Sequence, residues 1–169
     1  YQTTQKDGKR CSTATAYLVP AMERPNLTVM TDTQVNKLLL DGDKAVGVQC
    51  MTPQQEMVDF SASKEVILSA GAFGSPQILL RSGIGPAEEI TKHGIEHLVD
   101  LPGVGQNLQD HLECHIQIET TQAVSLNREL QPHRMLWAGM QWFGFKKGVA
   151  AVNQCHVGAF LNSSEQVTH

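Results

Sequence analysis

VILSAGAFGSPQILL, residues 66–80, changes its hydrophobic period in the middle. A branched apolar run reads as a strand, Gly71 and Gly74 break it, and Ser75-Pro76 offers a cap residue followed by proline in the first turn of a helix. The stretch therefore predicts strand, glycine turn and helix, with the helix opening at Ser75. Small residues at the end of such a strand let the backbone approach a flat or charged ligand, and the helix N-terminus that follows can face an anion. The same three elements also serve plain packing in any α/β protein. A full phosphate cradle is absent: Gly71 and Gly74 lack the GxGxxG spacing, and Gly103-Val104-Gly105 has Leu108 where a third glycine should stand.

Upstream, LTVMT (27–31) and VNKLLL (35–40) are short and rich in branched apolar residues, as strands are. Asp41-Gly42-Asp43 predicts a tight turn, with AVGVQCM (45–51) as the returning strand of a hairpin. MVDFSA (57–62) and EVILSA (65–70) read as a further strand pair. Downstream, Gly83 stops the first helix, and Pro86 begins a second with Glu88 and Glu89 in its first turn, Lys92 and His93 in its last and Gly94 beyond it. LPGVGQNLQDH (101–111) has too many turn formers for regular structure and is the best boundary candidate. Beyond it, CHIQIET (114–120) reads as a strand, residues 134–147 as a helix carrying Trp137 and Trp142, and residues 156–161 as another strand.

Thirteen Lys and Arg against 17 Asp and Glu leave a net charge of −4 on 169 residues, a balance that disfavours nucleic-acid binding. The 41% hydrophobic fraction is that of a chain that folds by burial, and its length suits one domain. Only 18% of residues are charged, below the usual level of about 25%, so an unusual share of the surface is expected to meet other protein. No apolar run reaches the roughly 18 residues needed to span a bilayer. Both ends read as cuts in a longer protein. Cys11, Cys50, Cys114 and Cys155 lie far apart without a CxxC pair and read as reduced thiols.

His111 and His115 stand four apart, near Glu113 and Cys114, and Cys155 precedes His156. HLECH is not HExxH, however, and a strand here would turn Cys114 away from both histidines, so ordinary histidines are the better reading and no metal is assigned. Ser75 lies in GSP and not in GxSxG, which argues against a Ser-His-Asp hydrolase.

GAFGSPQILLRSGIG (71–85) resembles, position for position, the second signature of the glucose-methanol-choline (GMC) oxidoreductases, FAD enzymes that oxidise alcohols. KRCSTATAYL (9–18), RPNLTVMT (24–31), AVGV (45–48) and LPGVGQNLQDHLE (101–113) resemble further segments of that family, in its order. QDHLE followed by VSL (124–126) is most similar to the choline-oxidising bacterial branch. The resemblance implies an α+β internal fragment: residues 1–109 as the second part of an FAD-binding domain, residues 110–169 as the beginning of a substrate-binding domain. The family's GxGxxG unit and catalytic histidine have no counterpart in the chain, so no catalytic residue is assigned.

By the same resemblance, Val35 corresponds to a residue whose backbone meets the adenine, and Ala70, Gly71 and Ala72 to a close-approach segment beside FAD. Asp110 and His111 correspond to a pair at the domain junction, read as structural hydrogen-bonding residues. Glu113 corresponds to the glutamate that faces a trimethylammonium group; its bland alternative is a solvated strand residue. Trp137 and Trp142 do not share a helix face closely, and core packing is expected of both. The implied reaction is oxidation of choline to betaine aldehyde by hydride transfer to flavin, in a protein that is cytoplasmic or peripherally membrane-associated, with its electron acceptor unassigned. Two alternatives are another alcohol dehydrogenase of the family and a truncated, non-catalytic binding module.

Overall fold

A computed structural model of the protein describes residues 4–112, 121–122 and 126–152. In chain order, short strands β1 (Gln5–Lys6) and β2 (Lys9–Arg10) pair antiparallel, and a π-helical turn at Ala14–Leu18 runs into the helical turn α1 (Val19–Ala21). Strands β3 (Gln34–Asp41), β4 (Lys44–Met51) and β5 (Met57–Ser61) form an antiparallel sheet in the order β3-β4-β5. Helix α2 (Gly71–Arg81), strand β6 (Ile84–Gly85), helix α3 (Ala87–Lys92) and strand β7 (Val99–Asp100) follow, with β6 and β7 parallel. A 3-10 turn at Leu126–Leu130 leads into α4 (Pro132–Phe145), and a second spans Val149–Ala151. The contacts divide the chain into two compact units, Val29–Cys114 and Tyr1–Thr28 with His115–His169.

In the unit Val29–Cys114, the predicted hairpin forms with Asp41 opposite Lys44, so Gly42 and Asp43 make the turn and Gly42 takes the positive φ of +61°. The ladder β3–β4 is interrupted twice: one bulge places Asn36 as an extra residue between the pairs Val35–Cys50 and Lys37–Gln49, the other adds Val46 to β4. At Gly47 any Cβ would run into the carbonyl of Phe60 on β5, which is why glycine stands in mid-strand. The core gathers Leu38 of β3, Cys50 of β4, Ile78 of α2, Ile90 of α3 and Val104 of the loop that follows β7. Ile90 is only 2% exposed. Burial, and secondarily the charge of Asp59, pushes the Cys50 thiol up from its ordinary pKa, so it packs as a small apolar group.

One hydroxyl joins helix to sheet. Ser82, buried just past α2, donates to the Ile78 carbonyl at 2.6 Å and accepts the Leu38 amide of β3 at 2.8 Å. Gly83, φ +79°, then ends the helix, and its carbonyl accepts the amides of Leu98 and Val99 at 2.8 and 3.1 Å. Ser82→Ala is expected to leave the Leu38 amide buried without that acceptor and to cost about 1–3 kcal/mol. Denaturant unfolding of the purified chain checks this; an unchanged midpoint would show that the amide finds another acceptor.

Helix α3 carries the predicted charges: Glu89 pairs with Lys92 at 3.9 Å and with His93 at 3.3 Å, and Gly94 follows with φ +70°. Residues 101–111 form turns and extended chain without regular structure, as their composition predicts.

Three expectations change. Residues 27–31 form no strand, and 65–69 likewise; β5 takes its hydrogen-bonded partner from β4 and not from EVILSA. A strand needs a pairing partner as well as propensity, and among the described residues neither run belongs to a sheet. The first helix begins at Gly71 and not at Ser75; Ser75 Oγ instead reaches back to accept the Ala70 amide at 3.0 Å, and Pro76 stands inside the helix. The predicted strands at 114–120 and 156–161 lie outside the described residues.

In the other unit, Trp142 of α4 donates its indole N–H to the Gly8 carbonyl at 2.9 Å, and Gln5 Nε2 donates to the Ala151 carbonyl. Gly148, φ +86°, lies against the Gln141 side chain. Lys146 Nζ stands 4.1 Å from the centre of the Trp142 ring, a cation–π contact at the helix end. Glu129 pairs with Arg128 at 2.9 Å and Arg134 at 3.2 Å, and the Arg128 hydrogen bond leads in holding its carboxyl below the usual range. Trp142 is half-buried and tied to the Gly8 carbonyl, while Trp137 is 59% exposed and does not pack in the core as expected.

Candidate cofactor and substrate site

Ala70, Gly71 and Ala72 stand together at the exposed head of α2. Gly71 turns with φ +84°, a conformation that costs an L-residue, and open space surrounds the position of its missing Cβ. One turn on, a Cβ at Gly74 would come within 2.8 Å of the Ala70 methyl, so small residues at both places keep the turn tight. The first amides of an eleven-residue helix lack intrahelical acceptors, and no side chain caps them by a hydrogen bond here. Pro76 has no N–H to give, so the Ala72 carbonyl lacks its usual partner four residues on. With the Ala70 amide held by Ser75 Oγ, the exposed turn leaves the Gly71 and Ala72 amides without a side-chain cap and the Ala72 carbonyl without its helical partner. That fits close approach by a dinucleotide, with the helix end favouring its negative charge.

Val35 is half-buried on β3, opposite Cys50 and immediately before the Asn36 bulge. Asn36 is tied to Arg81, the last residue of α2, so Val35 lies toward the C-terminal end of the helix whose N-terminal end carries Ala70–Ala72. At 1.5 Å per residue the two places are roughly 15 Å apart along the helix axis. They do not form one compact pocket; they suit the two ends of an extended ligand. A cleft of about 320 Å³, lined by Leu38, Leu40, Arg81, Ser82, Glu96 and Leu98, sits at the C-terminal end of α2 and does not include Ala70–Ala72.

The His111 amide donates to Oδ1 of the preceding Asp110 at 2.9 Å. Glu113, Cys114, His115, Cys155 and His156 lie outside the described residues. Cys11 and Cys50 are free thiols. Among the described residues no three His, Cys, Asp or Glu side chains gather as a metal site, and no helix is long and apolar enough to cross a membrane. Sequence reasoning missed Asn36 and Ser82; a polar residue inside VNKLLL was the one available hint of the first, and nothing local pointed to the second.

The family model for GMC oxidoreductases matches residues 1–113. The chain is 48% identical over 164 residues to an oxygen-dependent choline dehydrogenase of Staphylococcus haemolyticus, covering 96% of this chain and 28% of that protein. It is 44% identical to the mitochondrial choline dehydrogenase of Homo sapiens, covering 98% of this chain and again 28% of the relative. Among solved structures it is similar to a FAD-dependent oxidoreductase from Chaetomium thermophilum, with a TM-score of 0.71 and 28% identity over 86% of this chain and 26% of that one. The chain thus spans little more than a quarter of the length of these relatives. With two-thirds of its residues inside the family model and its helix–sheet unit shared with a flavoenzyme, the chain belongs to the GMC oxidoreductase family.

Proposed function

We propose that this chain is part of a FAD-dependent oxidoreductase that oxidises choline, a primary alcohol, to betaine aldehyde. The observation that carries this reading is identity of 44–48% to choline dehydrogenases over nearly the whole chain, well past the residue 113 at which the family model ends. Residues 1–109 form the second part of the FAD-binding domain and residues 110–169 the beginning of the substrate-binding domain. When bound, FAD supplies the acceptor for the hydride that leaves the alcohol carbon. Val35 offers backbone groups to the adenine, and Ala70, Gly71 and Ala72 let the cofactor approach the head of α2. Glu113 holds the substrate's cation. No residue of this chain takes the hydroxyl proton. The protein is cytoplasmic or rests at a membrane surface, as the family resemblance implies.

The test is anaerobic mixing of the full-length flavoprotein with choline. Loss of the oxidised flavin absorbance is the expected result. Reduction by aliphatic or aromatic alcohols but not by choline would assign the protein to another branch of the family. Failure to retain any FAD would make it a binding module.

A further inference from the structure

The Asn36 bulge is held from both sides. Arg81 Nη2 donates to Asn36 Oδ1, Asn36 Nδ2 donates to Gln49 Oε1 at 2.8 Å, and Gln49 Nε2 donates to Asp59 Oδ1 at 3.1 Å. The chain of side chains runs from the end of α2 across β3 and β4 to β5, and each amide in it uses its oxygen as acceptor and its nitrogen as donor. A bulge leaves one residue outside the ladder and re-aims its neighbours, and bulges are frequent beside functional sites. This one follows Val35 directly. A half-exposed amide chain adds little to stability as isolated hydrogen bonds, yet it fixes the one irregular backbone position on β3 that adjoins the proposed adenine contact.

We propose that Asn36 is a positioning residue: held between Arg81 and Gln49, it sets how the Val35 backbone is presented to the adenine end of FAD. This rests on the reading of Val35 above. Preorganised backbone groups bind without an ordering cost, so releasing the bulge weakens cofactor binding and leaves the distant reacting end alone.

In the full-length enzyme, Asn36→Ala is expected to raise the FAD dissociation constant about tenfold, measured by reconstituting the apoprotein, while kcat at saturating FAD stays within about twofold, the scale of one lost hydrogen bond's preorganisation. Asn36→Asp keeps the acceptor for Arg81, and Gln49 can turn its amide to donate to it by giving up its exposed hydrogen bond to Asp59, so this variant keeps the bulge tied to α2 and β4 and restores part of the affinity. Gln49→Ala cuts the same chain and gives the same weakening, which keeps the test open if Asn36→Ala fails to fold. Hydrogen exchange of the peptide 33–38, with and without FAD, separates the two layers. FAD-dependent protection there with unchanged affinity in Asn36→Ala and Gln49→Ala overturns the role of Asn36 and leaves the Val35 contact standing; no protection at all overturns the Val35 contact itself. An equal fall in kcat and in FAD affinity also overturns the proposal, because the effect is then not confined to the cofactor's adenine end.

Discussion

The isolated 169-residue chain, mixed with FAD, choline and a dye acceptor, is expected to reduce no dye above a no-protein control. Hydride transfer from an alcohol needs the hydroxyl proton removed as the hydride leaves, and a positioned general base is worth about 10²- to 10⁴-fold in rate. On the proposed reading no residue of this chain has that role. The cofactor's charge is a second obstacle. Ala70–Ala72 and Val35 are proposed to address it from the two ends of α2, but no GxGxxG turn stands in the sequence to answer the pyrophosphate, which is the part of a dinucleotide that most needs backbone donors. Dye reduction followed over time decides the matter. Steady turnover would mean that the 169 residues contain both a base and a flavin site, and the assignment of residues 1–109 to only part of a cofactor domain would fall.

Local chemistry made much of the fold legible. Gly42 in its turn, the charged ends of α3, Gly94 beyond it and the turn formers of 101–111 all act within a few residues of themselves, so each element is written where it forms. The misreadings share one cause. LTVMT and EVILSA have strand composition, but pairing is decided by what lies alongside, and Ile67 remains 77% exposed in a segment that joins no sheet among the described residues. Ser75-Pro76 imitates a helix start because the rule for caps is local. The actual start depends on Gly71 taking a positive φ and on Ser75 turning back to Ala70.

The proposed site was reached by another route. Composition marked only the unit 66–80 as a strand ending in small residues, a pattern that plain packing also explains; resemblance singled out Ala70, Gly71 and Ala72, which are exposed at the head of α2. Val35, by contrast, is an ordinary strand valine by every local criterion. Resemblance singled it out, and only the bulge beside it, a matter of register between β3 and β4, distinguishes it physically. The low charge content also has a counterpart: Phe73, Trp137 and Phe143 are each more than half exposed.

Glu113→Gln in the full-length enzyme is expected to lower kcat/KM for choline by about ten- to a hundredfold and to leave the neutral isostere 3,3-dimethylbutan-1-ol unchanged or slightly improved. Charge and not shape makes the difference between the two alcohols. A trimethylammonium group has no classical donor, so its recognition falls to a nearby carboxylate and to aromatic faces, the latter worth on the order of 0.5–2 kcal/mol. At an effective dielectric of about 20, a carboxylate and a cation about 4 to 5 Å apart attract by roughly 3–4 kcal/mol before desolvation is subtracted. Taking both ions out of water removes a large part of that gain, which leaves a net of about 1–3 kcal/mol for the pair. Gln matches Glu in size and polarity, so the substitution deletes the formal charge and little else, and the neutral alcohol has nothing to lose from it. Measured on wild type and variant, an equal fall for both alcohols would make the carboxylate structural. If neither value moved, Glu113 would be a solvated strand residue, and the preference for a quaternary ammonium would have to come from aromatic faces alone.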